Sequence, residues 1–144
     1  MSLVERDYVL RMIQLLARAI ARILGLKQAG KLEEALKDVE TTADAIFGSM
    51  RSTLDAIDPQ SAARLLTSGE KIEAYALLTA EEASIRGLMG DAALARRGER
   101  RALLLYLEAL ILEGRVSDDA RAAIGDLRGT VDQSTLPQRY QEAL

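Results

Sequence analysis

The residues best suited to chemistry in this chain are a lysine-bearing glycine turn, a knot of arginines and several adjacent carboxylates. Gly25-Leu26-Lys27-Gln28-Ala29-Gly30-Lys31 has the G-x4-G-K spacing of a phosphate-binding loop. Such a loop works with a strand before it, a helix after it and a Ser or Thr following the lysine to hold magnesium. Here the preceding pattern is helical and Leu32 takes the Ser/Thr place. A preceding helix aims carbonyls, not amide N–H groups, into the turn. The segment is therefore expected to be a joint between helices.

Arg96, Arg97, Arg100 and Arg101 form the densest basic cluster. On a helix the pairs 96/100 and 97/101 make two adjacent ridges that can grip an anionic small ligand or an acidic partner helix. The competing reading is a solvated face, tempered by Asp91 and Glu99. No aromatic residue interleaves with the arginines, which argues against single-stranded nucleic acid, whose bases stack on rings.

The carboxylates Glu33, Glu34 and Asp38, Glu81 and Glu82, and Asp118 and Asp119 invite a metal or acid–base reading. A carboxylate di-metal bundle uses inward-facing Glu-x-x-His pairs, and the chain has no histidine. Adjacent carboxylates also point to different sides of a helix. The absence of cysteine removes thiolate nucleophiles and Cys-ligated metals. No catalytic, cofactor-binding or metal-ligating residue is assigned, and no cofactor is expected.

The elements that would position these groups are helical. Ala, Leu, Arg and Glu dominate, β-branched residues are sparse, and the aromatics are Phe47, Tyr8, Tyr75, Tyr106 and Tyr140. The fold class is all-α. We expect one compact domain over residues 1–144, with five to seven helices in antiparallel hairpins and a partly ordered polar tail over 130–144. At this length roughly 68–70% of the unfolded surface is buried on folding, enough for an aliphatic core.

Val4 to Leu26 reads as one long helix. Asp7, Arg11, Gln14, Arg18 and Arg22 form its narrow polar stripe, and the rest is apolar enough to require cover on more than one side. Lys31 to about Ile57 reads as the second helix, weakened or kinked at Gly48 and Ser49. Asp58-Pro59 opens a short helix to Thr67, and another runs from Glu70 to Leu88. Asp91 caps a helix to Glu113 that Gly98 can interrupt; its apolar stretch, Ala102 to Leu112 except Glu108, marks it as central. Ser117 caps a helix to Arg128, and one turn follows Pro137.

The net charge of −3 gives no global steering toward nucleic acid or anionic lipid. The first residues are acidic and lack the apolar core of a signal peptide. Arginines interrupt every apolar run long enough to span a membrane. A cytoplasmic location is the expectation. The first helix, basic on one stripe and apolar elsewhere, also fits a membrane surface in outline. Its thin stripe and wide apolar face favour core packing or self-association instead.

The phrase Gly-x-x-x-Glu-Ala occurs at Gly30–Ala35 and Gly69–Ala74, with a blurred copy at Gly98–Ala102. A glycine ending one helix, then an alanine that lets the next pack close, resembles the tetratricopeptide class of helical hairpins. Small residues follow as in that class after two of the alanines, Thr42 and Ala43 after Ala35 and Ala109 after Ala102, whereas Ala74 is followed by Glu81 and then Ala83. The uneven spacing and missing aromatic signature set it apart from a regular array, so the resemblance implies hairpin packing.

The chain also resembles a family of small bacterial helical proteins of uncharacterised function. The likeness lies in Asp7-Tyr8-Val9-Leu10-Arg11-Met12-Ile13 and its continuation Leu15 to Leu24. Further matches are Leu65-Leu66, Gly69, Glu73-Ala74, Leu77-Leu78, Ala102, Tyr106-Leu107 and Ser117-Asp118-Asp119. It implies an all-helical fold and no activity. The expected function is that of a non-enzymatic protein-interaction or scaffold protein, with a homodimer through the first helix as one form. The alternative is a regulatory module binding an anionic ligand or acidic partner through Arg96, Arg97, Arg100 and Arg101.

Overall fold

The computed structural model describes residues 2–144, and among them all regular structure is helical. The α-helices are α1 (Leu3–Gln28), α2 (Leu32–Phe47), α3 (Arg51–Ala56), α4 (Pro59–Leu66), α5 (Gly69–Leu88), α6 (Ala92–Glu113), α7 (Asp118–Arg128) and α8 (Gln138–Ala143), with 3-10 turns at Gly48–Met50 and Gln133–Thr135. The all-α expectation holds. Two compact units divide the chain, the first ending at Ala56 and the second running from Ile57 to Leu144.

In the first unit α1 and α2 form a hairpin. α2 buries Ala35, Val39, Thr42, Ala43, Ile46 and Phe47, the i, i+4, i+7, i+8 pattern of a one-sided helix. The Tyr8 hydroxyl of α1 donates to the Ile46 carbonyl, and Arg22 reaches both carboxylate oxygens of Asp38 at 3.0 and 3.1 Å. The expected second helix to Ile57 is broken rather than kinked. Gly48 takes φ 58° and ψ −136°, a conformation that ends the α-helix and that a side chain would strain.

In the second unit, capping residues start the helices as read from sequence. Asp58, Asp91 and Ser117 accept from the amides of Ser61, Leu94 and Ala120, each at 3.1 Å. α5 and α6 form the dominant hairpin, and α4, α7 and α8 all pack on α6. The unbroken run Ala102–Ala109 of α6 is buried, including Glu108. Gly98 does not interrupt α6. A Cβ placed there would lie 2.7 Å from the Ala83 Cβ, so the glycine lets α5 and α6 approach closely.

The third Gly-x-x-x-Glu-Ala-like phrase thus lies inside a helix, whereas the first follows the α1–α2 turn at Gly30 (φ 74°). Leu136 and Tyr140 are buried against Leu103, Leu104 and Leu107 of α6, bringing α8 onto the core.

Two measurements check this packing. Replacing Gly98 by Ala should lower stability by about 1–2 kcal/mol in urea unfolding, because overpacking outweighs the alanine's helix preference. Tyr106 is buried, and burial first, then the carboxylates of Glu73, Glu81 and Asp119, raise its folded-state pKa well above the ordinary value. The folded state therefore favours the neutral phenol. Its stabilising effect is complete below pH ~10 and is lost as pH rises toward the folded pKa. Tyr106→Phe should flatten the fall in stability seen above pH ~10.

Candidate functional site

The glycine turn does not form a phosphate cradle. α1 continues to Gln28, so Gly25 is helical. The amides of Ala29, Gly30 and Lys31 are spent on the carbonyls of Gly25, Lys27 and Leu26 at 3.0, 3.1 and 2.9 Å. Those N–H groups are what a phosphate would need, so the segment is a helix-ending joint.

The four arginines lie on α6 but have different tasks. Arg101 is half-buried and donates to the Ile57 carbonyl at 2.8 Å and to the Tyr75 hydroxyl at 3.2 Å. Its guanidinium carbon stands 5.6 Å from the Tyr75 ring centre, within cation–π range. Arg100 donates to Thr135 Oγ1 at 3.1 Å, tying the 3-10 turn before α8 to α6. Arg96 and Arg97 are exposed and make no ion pair among the described residues. As immediate neighbours they project about 100° apart on the helix. The structure therefore does not bring the four guanidinium groups to one anion.

The carboxylates are likewise dispersed. Asp38 is engaged by Arg22, Glu82 lies 3.9 Å from Arg86, and Asp118 and Asp119 sit in the first turn of α7, where they favour its dipole. Among the described residues no group of three or more carboxylates is placed to hold a metal. The buried acid is Glu108, and Arg139 of α8 pairs with it bidentately at 2.6 and 3.1 Å. Sequence reasoning singled out Glu108 as the polar exception in α6 but had no signal for Arg139, 31 residues on.

An open groove of about 430 Å³ follows the polar stripe of α1, lined by Arg11, Gln14, Leu15, Arg18 and Arg22. Arg11 and Arg18 turn their Nε groups to the carbonyls of Asp7 and Gln14, one turn earlier. Arg22 is held by Asp38. The stripe is positively charged but shallow and already braced by its own backbone.

The largest departure from expectation is the apolar remainder of α1. Sequence composition called for cover on more than one side, yet the buried residues are Val9, Met12, Ala19 and Ile23, one narrow band. Leu10, Ile13 and Leu24 remain 50%, 48% and 50% exposed, with Ala17 and Ala21 exposed between them. These residues were legible as apolar; that they form a second stripe required reading their 3–4 spacing separately from the band that α1 buries. No helix among the described residues is long and apolar enough to cross a membrane. No protein family, curated protein or solved structure compared with the chain matches it.

Arg101→Ala should destabilise the protein by about 1–3 kcal/mol, because it strips the Ile57 carbonyl and the Tyr75 hydroxyl of a donor. Arg96→Ala and Arg97→Ala should each stay within about 0.5 kcal/mol of the parent in the same denaturation assay.

Proposed function

We propose that this chain is a non-enzymatic protein-interaction or scaffold protein, built of tetratricopeptide-like helical hairpins, whose binding face lies on α1. The uncovered apolar stripe around Leu10, Ile13 and Leu24 supports this reading. Contiguous apolar surface beside a charged stripe is the usual mark of a surface that meets another macromolecule. Outside α1, the large exposed apolar residues occur singly or in small groups near helix ends: Leu65; Leu88, Met89 and Leu94; Ile111 and Leu112.

A second reading, a module for an anionic ligand or acidic partner, rests on Arg96 and Arg97. They are the cluster members exposed and unpaired among the described residues. The other two arginines are engaged within the second unit, which favours the first reading.

The full chain, tagged and used as bait in its native cells, should retain a protein at reproducible stoichiometry. Ile13→Glu should lose it and the double change Arg96→Ala with Arg97→Ala should keep it. The converse pattern would transfer the assignment to the arginines, and loss in neither variant would end the α1 assignment.

A further inference from the structure

A buried acid on α6 is answered by the last segment of the chain. α8 is six residues long, well short of the roughly 12–15 at which an isolated helix is marginal in water. Its N-cap, Pro137, offers no side-chain hydrogen bond. The helix is therefore ordered by what it rests on. Tyr140 is buried and Ala143 and Leu144 are partly so, at the i, i+3, i+4 spacing of one helical face. With Leu136 just before the helix, they cover Leu103, Leu104 and Leu107 of α6. Ties through the preceding turn, Arg100 to Thr135 and Asp132 to Ser134, are exposed. A segment with so few buried contacts opens locally at a free energy well below that of global unfolding.

Beside those leucines stands Glu108, with Arg139 bound to both carboxylate oxygens at 3.1 and 2.6 Å. The two side chains differ in exposure, 3% for Glu108 and 41% for Arg139. The carboxylate is fixed in α6, whereas the guanidinium reaches it from the rim and returns to water when the tail lifts. Well-packed apolar residues often fasten an element at least as firmly as a buried ion pair. What the ion pair adds is selection: a carboxylate held among leucines accepts a planar, forked guanidinium and penalises a face that lacks one. The Tyr140 phenol is shifted above its ordinary pKa by burial and then by hydrogen bonding to Glu108, so it shares the same acid.

We propose that this face of α6 is a docking site for an arginine-bearing helix of a partner protein, with α8 as its built-in competitor. The occupant supplies the ligand pattern: an arginine, an aromatic residue directly after it and a leucine four residues beyond the aromatic, as in Arg139, Tyr140 and Leu144. The tethered tail shuts the site at an effective concentration on the order of 1 mM. A partner enters by outcompeting the tail or by drawing it away. The site is separate from the apolar stripe of α1 and does not depend on it.

A fluorescent peptide of residues 133–144, added to the full chain, tests the site by anisotropy. In the full chain, Arg139→Glu sets a carboxylate against Glu108 and releases the tail. Leu136→Asp releases it from the apolar side and leaves Glu108 untouched. Each variant should stay helical and bind the peptide with a dissociation constant on the order of 100 µM, about tenfold more tightly than the parent, whose own tail competes. A peptide carrying Arg139→Glu should lose at least about tenfold in affinity for both variants. Equal binding by parent and variants, or binding by none, would overturn the proposal, as would indifference to the arginine of the peptide. Unfolding of both variants would overturn it too, because the tail would then belong to the core. A parent dimer that Leu136→Asp dissolves would overturn the partner and assign the face to α8 of a second copy.

Discussion

The close approach of α5 and α6 at Ala83 and Gly98 governs the second unit. Without a Cβ on residue 98, the two helix backbones come near enough for α6 to serve as a post with apolar contacts on nearly every side. The run Leu103–Leu107 is consequently buried residue after residue instead of on one face. α4, α7 and α8 can all then rest on α6. The same arrangement explains Glu108, which lies in the buried run at 3% exposure. A carboxylate there needs an opposite charge with matching geometry, and Arg139 supplies it with two hydrogen bonds. Polar chain at the C-terminus is drawn onto the core by the requirements of a buried acid and by Leu136 and Tyr140.

The first unit has no such post. α2 is one-sided, so it can cover one band of α1, and α1 carries apolar residues over a much wider arc. Half-exposure of Leu10, Ile13 and Leu24 leaves roughly 1 kcal/mol of unrealised burial at each. That is a sizeable sum against the total stability of a small domain. A helix that keeps this surface in water gives up stability that polar substitutions would not forfeit.

Much of the architecture was legible because its signals are local. Caps at Asp58, Asp91 and Ser117 depend on a side chain reaching an amide three residues away, and glycines at 30, 90 and 114 supply positive φ at helix ends. A mid-helix glycine such as Gly98 looks the same in sequence whether it weakens a helix or admits a neighbour. Only the position of Ala83 decides between these. Arg139 was invisible for a similar reason: nothing local to residue 139 announces a partner on another helix. On α1, apolar content was plain, but composition alone could not say how much of it would be covered.

The arginine cluster shows the same limit acting on function. Spacing of i, i+4 places Arg97 with Arg101 and Arg96 with Arg100, but does not say what lies beside each member of a row. Arg101 points at an open carbonyl and a tyrosine ring, and its charge is absorbed by holding Ile57 and Tyr75. Arg100 is drawn to the turn at Thr135. A dense run of cations in the sequence therefore becomes two fasteners and two solvated charges. The opposite happens on α1, where modest aliphatic residues at unremarkable positions align into one continuous strip. Recognition surface is what remains after the fold has used what it needs. In this chain the fold consumes half of the conspicuous charge and leaves the inconspicuous seam.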